Sequence, residues 1–235
     1  VAQLDARLYA ITDHPVILDG SQSYDSDGSI GRHEWDFTDN GSYDYHERSG
    51  WAGSQFYPDG KQDGITAFAY DSTGQYTVEL RVTDDDDLTG TDTITIDISD
   101  DADSDDMPDQ WEIDYYIDDS NDPNTGPAED FDGDTFSNLC EFLHRTDPND
   151  NTDKPDPNDP NDYITIYVPG DVTTIQDAID ASIDGDTIIV AEGTYYENVV
   201  FGNHFVTLTS TDPNDPEVVA STIIDANGTG TVVDF

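Results

Sequence analysis

The sequence predicts a mainly β, multidomain protein, and three observations lead to this fold class. Apolar and polar residues alternate in short runs over residues 1–98, as they do in half-buried strands. Residues 99–162 hold 22 of the 54 acidic residues and only two of the 7 basic ones, around two short helical stretches. Residues 163–235 contain further short strands after one helix. Several small units therefore share the 235 residues.

The composition is strongly acidic. Asp and Glu outnumber Lys and Arg by 54 to 7, which gives a net charge of -47. Such a charge repels nucleic acid and anionic membrane surfaces, and no apolar run is long enough to span a bilayer. Aromatic residues make up 11% of the chain and lie in alternating apolar segments, which argues against disorder. We predict folded domains with no nucleic-acid partner and no membrane span.

The first segment, residues 1–98, predicts a β-sandwich. Large apolar residues alternate with polar ones through Tyr76–Val82, and turn clusters such as Asp25–Gly28 separate the strand-like runs. Trp35 and Phe37 share one face of their strand and are predicted in the core. The strand-like runs are Ala6–Thr12, Val16–Asp19, Ile30–Phe37, Ile65–Tyr70, Gln75–Asp84 and Thr91–Ile98.

The order of these pieces resembles a PKD domain, an immunoglobulin-like sandwich of extracellular and surface proteins. The matching stretches are Leu18–Ser21, Tyr24–Ile30, Glu34–Phe37 and Gly74–Asp86. The segment departs from the family at Thr38, where Gly is usual, and by a long Tyr-rich insertion at 40–64. The resemblance implies a spacer or adhesive module without chemistry of its own.

Two twelve-residue loops carry the strongest site signal. Both place carboxylate or amide oxygens at loop positions 1, 3, 5 and 9, a backbone carbonyl at position 7 and Glu at position 12. The residues of loop one (101–112) are Asp101, Asp103, Asp105, Met107, Asp109 and Glu112. Those of loop two (130–141) are Asp130, Asp132, Asp134, Phe136, Asn138 and Glu141. This spacing surrounds Ca²⁺ with about seven oxygens, so the sequence predicts about two bound calcium ions.

A solvated acidic surface is the alternative interpretation, because Asp-x-Asp-x-Asp arises easily in a chain with 45 Asp residues. Matched positions 9 and 12, each at the opening of a helix, favour calcium. The loops resemble the thrombospondin type 3 and EF-hand-like calcium repeats. They depart from these repeats at position 6, where Gly usually supplies a positive φ. Asp106 occupies this position in loop one and Thr135 in loop two. β-Branched Thr adopts that conformation poorly, so loop two is predicted to be the more strained.

The surroundings of the loops are also predicted. Helices are expected near Asp109–Ile117 and Asn138–Arg145, and the Asp-Pro-Asn units of residues 147–162 predict an extended acidic linker. The predicted domains are 1–98, 99–146, 147–162 and 163–235. Because residues 99–146 contain little apolar core, removal of calcium is predicted to loosen this segment selectively.

The third segment, residues 163–235, predicts coils stacked into a solenoid. Thr173 and Gln176 form a capping-box pattern ahead of an amphipathic helix. The strands expected after it are Thr187–Ala191, Val199–Phe201, Val206–Thr209, Thr222–Asp225 and Thr231–Phe235. Thr174–Ile179 followed by Asp184–Tyr195 resembles the opening of right-handed parallel β-helices of the pectin-lyase type. The resemblance implies an N-terminal cap and two to three coils.

No catalytic residue is predicted. Lyases of the β-helix family use a basic residue to abstract a proton, and residues 163–235 contain neither Lys nor Arg. Asp225 and Asp234 are carboxylates, but their spacing does not single them out as a hydrolase pair. Cys140 lies beside Leu139 and Phe142 and is predicted to be a small buried apolar residue rather than a nucleophile. We therefore predict that this chain is not an enzyme.

Together these features predict a secreted or cell-surface protein, calcium-stabilised and non-catalytic, with a structural or adhesive role. The open strand edges of an unfinished β-helix also predict stacking on other copies into a filament or sheath. The alternative is the N-terminal accessory part of a longer β-helix polysaccharide lyase or glycoside hydrolase. Polysaccharide binding would use the exposed aromatic residues of the insertion, which are Tyr43, Tyr45, Trp51 and Phe56.

Overall fold

The computed structural model describes residues 1–43, 64–117, 125–228 and 230–234, together with the backbone of Tyr45–His46. The chain divides into two compact units, Val1–Asp100 and Asp101–Phe235. The described residues contain no helix with the length and apolar character needed to cross a membrane.

The first unit is a β-sandwich of two sheets. Its strands are β1 (Tyr9–Ile11), β2 (Pro15–Asp19), β3 (Ile30–Asp36), β4 (Tyr45–His46), β5 (Ile65–Ala69), β6 (Gly74–Asp84) and β7 (Thr89–Ser99). The larger sheet has the order β1-β7-β6-β3-β4, and β2 pairs with β5 in the smaller one. All pairs are antiparallel except β1 with β7. The predicted sandwich is therefore confirmed.

The core of this unit lies between the two sheets. The side chains of Trp35, Leu18 and Leu80 are fully buried there. Phe37 stacks on Phe68 with a centroid distance of 4.3 Å, and the Tyr70 hydroxyl donates to the Phe37 carbonyl at 2.9 Å. The alternation read from the sequence thus fixes which face of each strand is buried.

The second unit begins with two short helices, α1 (Asp109–Tyr115) and α2 (Asn138–His144). Each follows one of the acidic loops, and each ends in a residue of left-handed conformation, Tyr116 or Arg145. The rings of Trp111 and Phe142 contact each other across the helices at 5.1 Å. The buried apolar residues around them are Met107, Ile117, Leu139 and Leu143.

The predicted linker is a series of turns. Backbone N–H groups donate to carbonyls three residues earlier, from Asp150, Asp153, Asp159 and Asp162. In four turns an Asp carboxylate also accepts the N–H two residues further on, as in Asn149 to Asp147. The prediction of an extended chain is wrong because these carboxylates close local turns, which need no apolar core.

The rest of the second unit consists of short parallel strands and two helices. Its elements are β8 (Thr165–Val168), α3 (Ile175–Asp180), β9 (Thr187–Val190), β10 (Gly193–Tyr195), β11 (Val199–Val200), β12 (Thr207–Ser210), α4 (Pro216–Ser221), β13 (Thr222–Ile224) and β14 (Val233–Asp234). They form three parallel sheets, β12-β9-β8, β10-β13 and β11-β14. The pairing is in phase, since Ile188 lies opposite both Ile166 and Leu208.

The capping box predicted before α3 is shifted by one residue. The N-cap is Thr174, whose hydroxyl oxygen accepts the N–H of Asp177 at 3.0 Å. Two adjacent Thr residues make the register ambiguous from sequence. Thr173, the predicted cap, instead bonds to the carboxylate of Asp106.

Side-chain hydrogen bonds link the start of α3 to the chain that follows β10. The Glu197 carboxylate accepts the free N–H groups of Ile175 and Gln176 at 3.1 and 3.0 Å. The Gln176 side-chain amide donates to the Val200 carbonyl at 3.1 Å and accepts its N–H at 2.8 Å. Gln176 therefore covers the outer edge of β11 as a neighbouring strand would.

Candidate metal centre

The carboxylates predicted at positions 1, 3 and 5 come together in both loops. In each loop three carboxylate oxygens lie within 4.8 Å of one another. The two groups are Asp101, Asp103 and Asp105, and Asp130, Asp132 and Asp134. Clustered acidic side chains alone do not distinguish a cation site from an acidic surface, so the bonding around them decides.

Position 1 is held by the same three hydrogen bonds in both loops. One carboxylate oxygen accepts the N–H groups of positions 4 and 5, and the other accepts that of position 6. For Asp101 the donors are Ser104 at 2.7 Å, Asp105 at 3.1 Å and Asp106 at 3.1 Å. For Asp130 they are Gly133 at 2.7 Å, Asp134 at 3.1 Å and Thr135 at 2.8 Å. The backbone thus wraps around the first carboxylate.

Positions 5 and 9 also match. The position 5 carboxylate accepts the N–H of position 7, at 3.0 Å for Asp105 and 2.8 Å for Asp134. The position 9 oxygen accepts the N–H of position 2, at 2.8 Å for Asp109 and 3.2 Å for Asn138. Position 9 therefore closes the loop from the first turn of its helix. In calcium loops of this spacing, position 9 often reaches the ion through water.

Position 6 has the backbone conformation that the loop spacing requires. The φ angles of Asp106 and Thr135 are 71° and 89°. The sequence did not predict that position 4 is also left-handed, with φ of 62° at Ser104 and 83° at Gly133. In loop two, Gly133 is the residue from which this left-handed conformation could have been predicted. Thr135 adopts a positive φ despite its β-branched side chain. Loop two nevertheless keeps the same hydrogen-bond pattern as loop one.

The position 12 glutamates lie on the first turns of the two helices and are buried, Glu112 at 5% and Glu141 at 0% exposure. In loop two, three buried oxygens accept no hydrogen bond within the described part of the chain: Glu141 Oε2, Asp132 Oδ2 and Asp134 Oδ2. Burying carboxylate oxygens without partners is costly. A cation among them would remove that cost. These oxygens therefore support a cation site in loop two independently of the spacing of its ligands.

Crowding changes the proton affinity of these carboxyl groups. Burial, with the nearby charges of Asp132 and Asp134, raises the pKa of Glu141 to about 8. In loop one, burial raises the pKa of Asp105 to about 7, and the charges of Asp103 and Asp101 add to it. Burial also raises the pKa of both position 3 carboxyls. Without a cation, both loops therefore favour protonated carboxyl groups.

Two side-chain contacts join the loops and helices to the parallel strands of the same unit. Asp106 accepts from Thr173, and His144 Nε2 lies 3.1 Å from a carboxylate oxygen of Asp186. Both side chains of the His144–Asp186 pair are buried. Asp186 also accepts the N–H groups of Ile164 at 2.9 Å and Ile183 at 2.8 Å.

Cys140 is buried, as predicted, although it has partners that resemble a catalytic arrangement. Its sulfur lies 3.5 Å from His144 Nδ1, and the opposite ring nitrogen faces Asp186. Nδ1 also lies 2.8 Å from the Cys140 carbonyl oxygen. Burial raises the pKa of the thiol, and only 3% of the residue is exposed. The cysteine is therefore protonated and shielded from substrates.

Of the aromatic candidates for polysaccharide binding, Tyr43 has a described side chain. Its ring lies 3.7 Å from the Arg81 guanidinium carbon, and its hydroxyl donates to Glu79. Burial and that hydrogen bond raise the pKa of Tyr43 to about 12. Trp51, Phe56 and the Tyr45 side chain lie outside the described residues, so the aromatic strip stays a prediction.

Comparison with known families supports the first of the three resemblances. Residues 1–99 match the family model described as PKD domain. This match agrees with the predicted segment 1–98 and with its two-sheet architecture. No curated protein matches the chain.

Solved structures give weaker likenesses. A structure of carbohydrate-binding modules from the β-sandwich superfamily is 27% identical, covers 42% of this chain and 34% of its own, and has a TM-score of 0.32. The PKD1 domain of Vibrio anguillarum Epp is 25% identical over 43% of this chain and 94% of its own, with a TM-score of 0.30. The Yersinia enterocolitica family 28 exopolygalacturonase is 11% identical over 88% of this chain and 32% of its own, at 0.31. At these TM-scores, the family match of residues 1–99 alone carries an assignment.

Proposed function

We propose that this chain is a calcium-stabilised, non-catalytic protein of the cell surface or extracellular matrix, with a structural or adhesive role. The observation that carries the proposal is a set of buried oxygens in loop two, on Glu141, Asp132 and Asp134, that accept no hydrogen bond from any described group. Carboxylates of an acidic surface keep their oxygens in water, whereas carboxylates that bind a cation can bury them. The matched hydrogen bonds extend the proposal to loop one.

Calcium fits the donor set of both loops. The ligands offered are carboxylate and amide oxygens on one short stretch of chain, which suits a hard cation that accepts six to eight oxygens. Position 12 would close each site with a glutamate carried by a helix. The bound ion would supply positive charge that offsets carboxylate repulsion, and the chain's own residues would supply the geometry.

We further propose that residues 163–235 begin a parallel β-helix. The in-phase parallel pairing of Ile166, Ile188 and Leu208 supports this, as does α3 covering one edge through Gln176. In this proposal the calcium loops act as a lateral clamp on the first coils, through Asp106 and His144. Strands β12, β13 and β14 would offer edges for stacking in a filament or sheath.

Two features support a location at the cell surface or outside the cell. The PKD-type match covers residues 1–99, and the net charge of -47 suits a saline or cation-rich medium. In this role the first unit would be a spacer or adhesive module, with polysaccharide or other copies of the chain as partners.

The alternative function is that of an accessory part of a longer β-helix polysaccharide lyase or glycoside hydrolase. The parallel strand pairing of residues 163–235 supports this alternative equally, because a β-helix enzyme would have the same pairing. Residues 163–235 contain no Lys or Arg to act as base. The sequence of any continuation of the chain would decide: further coils with Arg, Lys or paired carboxylates on one face would favour the alternative, and repeats of the present modules would favour the structural role.

The direct test of the calcium proposal is a calorimetric titration of the calcium-free full chain with Ca²⁺. We expect two ions per chain. Asp130→Asn should remove one of them, because Asp130 organises loop two, and Asn40→Asp in the first unit is a control that should leave the stoichiometry unchanged. Absence of calcium binding by the unaltered chain would overturn the proposal.

A further inference from the structure

Lys154 lies beside loop two, although cationic side chains are scarce in this unit. Lys154 and Arg145 are the only Lys or Arg residues between 101 and 235. The Lys154 ammonium donates to the backbone carbonyl of Asp134 at 3.3 Å and lies 4.0 Å from Asp134 Oδ2. The Asp134 side chain is 0% exposed, whereas that of Lys154 is 42% exposed.

In loop one, the carboxylates of positions 1, 3 and 5 lack such a neighbour among the described residues. Among the described residues, no Lys or Arg forms an ion pair with Asp101, Asp103 or Asp105. The difference arises because the turns of residues 147–162 pass beside loop two. Asn149 fixes the start of these turns, because its side-chain amide donates to the Tyr115 carbonyl at 2.8 Å.

The ammonium compensates charge at Asp134 without occupying the oxygen. At 4.0 Å, Oδ2 remains outside hydrogen-bond distance and accepts no hydrogen bond from a described group. A divalent cation bound to loop two would draw on the same oxygen. Two positive centres at one buried carboxylate repel each other, so the ion and the ammonium compete.

A polar cavity lies between loop two and the turns. It has a volume of about 310 Å³ and is lined by Phe131, Asp132, Asn149, Asp150 and Asn151. Asp150 adds negative charge beside Asp132. The turns therefore bring both a competing cation and additional carboxylate to the mouth of the loop.

We propose that Lys154 is a tethered competitor of calcium at loop two, so that calcium binding there releases the turns around Lys154 from the loop. This inference rests on the proposed function, because it requires calcium in loop two. Its consequence is that loop two binds calcium more weakly than its ligands alone would allow, and that residues 147–156 respond to its occupancy.

The test is a Ca²⁺ titration of the full chain carrying Asp105→Asn, which disables loop one and leaves loop two to be measured. In this background, Lys154→Gln should tighten calcium binding about fivefold, the order expected for a half-exposed ion pair. The gain should shrink at high salt. Lys154→Arg keeps the charge and should stay within about twofold of the parent.

A second readout follows the turns themselves. Hydrogen exchange at residues 147–156 should be faster in calcium than in chelator, and Lys154→Gln should abolish this difference. Unchanged or weaker calcium binding by Lys154→Gln in the Asp105→Asn background would overturn the inference while leaving the calcium proposal intact. Failure of the unaltered chain to bind calcium would overturn both.

Discussion

The carboxylate of Asp106 accepts hydrogen bonds from both the backbone N–H and the hydroxyl of Thr173, at 3.0 and 3.2 Å. Asp106 occupies position 6 of loop one with a φ of 71°, where calcium loops usually have Gly. The contact ties loop one to the turn that precedes α3. It gives a structural reason for Asp at this position despite the cost of a left-handed conformation.

This relationship predicts opposite effects of glycine at position 6 in the two loops. Asp106→Gly relieves the backbone but loses both bonds to Thr173, so we expect a loss of about 1–2 kcal/mol in unfolding free energy. Thr135→Gly removes a β-branched residue from φ of 89° and should stabilise by up to about 1 kcal/mol. Urea unfolding in calcium measures both. Equal signs for the two variants would contradict the role of the Thr173 contact.

Glu141→Gln should change sign with calcium. In chelator at pH 8.5 the variant removes a buried charge whose Oε2 accepts no hydrogen bond from a described group, and it should stabilise the second unit by about 1 kcal/mol. In calcium it removes the bidentate ligand of loop two, so affinity at that site should fall at least about tenfold. Thermal unfolding in the two buffers, with a calcium titration, separates these effects. Destabilisation in both buffers would show that Glu141 has only a packing role.

The raised pKa values predict how the stability of the metal-free protein varies with pH. The pKa is about 8 for Glu141 and about 7 for Asp105, above the ordinary values of 4.5 and 3.8. The folded state therefore holds extra protons, and the stability they contribute is present below the ordinary pKa values and lost as pH rises through 7 to 8. We expect a lower melting temperature at pH 8.5 than at pH 5.5 in chelator.

Calcium should reverse this slope, because the ion binds deprotonated ligands. Melting temperatures in excess calcium should therefore rise over the same pH window. Glu141→Gln is the control, since it removes one of the two carboxyls whose pKa is raised to about 7 or 8 and should reduce the slope in chelator. A metal-free protein that gains stability with rising pH would contradict the assignment of these carboxyls.

Asp186 should be among the most sensitive positions of the second unit. It is fully buried and accepts from Ile164, Ile183 and the His144 ring. Asp186→Asn removes the charge and leaves one acceptor oxygen for these donors, so we expect a loss of about 3 kcal/mol. The matched variant Asp184→Asn, at an exposed position with one bond to Phe205, should cost less than about 1 kcal/mol. Similar losses in urea unfolding would refute the bridging role.

Local patterns carried much of the fold and of the site. Alternation over Tyr76–Val82 placed Val78 and Leu80 in the core, and the helices predicted near Asp109–Ile117 and Asn138–Arg145 end within two residues of the observed ends. Three strands, β4, β8 and β10, and the helix α4 were missed. For α4 a signal existed, because Asp215 caps the helix by accepting the Glu217 N–H at 2.8 Å.

Contacts between distant residues could not be read from the sequence. Asp106 with Thr173, His144 with Asp186 and Lys154 with Asp134 join residues that share no local period, so only the folded chain brings them together. These contacts also change the expected effect of removing calcium. Residues 99–146 were predicted to loosen alone, whereas their bonds to the parallel strands predict that loosening extends to those strands.

Hydrogen exchange of the full chain in calcium and in excess chelator tests the central claim most directly. Outside the turns at 147–156, chelation should lower protection of the described residues of the second unit, including β8, β9 and β12, while residues 1–43 and 64–100 keep theirs. The first unit is therefore the internal control. Unchanged protection of residues 101–117, 125–146 and 157–210 in chelator would contradict calcium as the ion that holds this unit together.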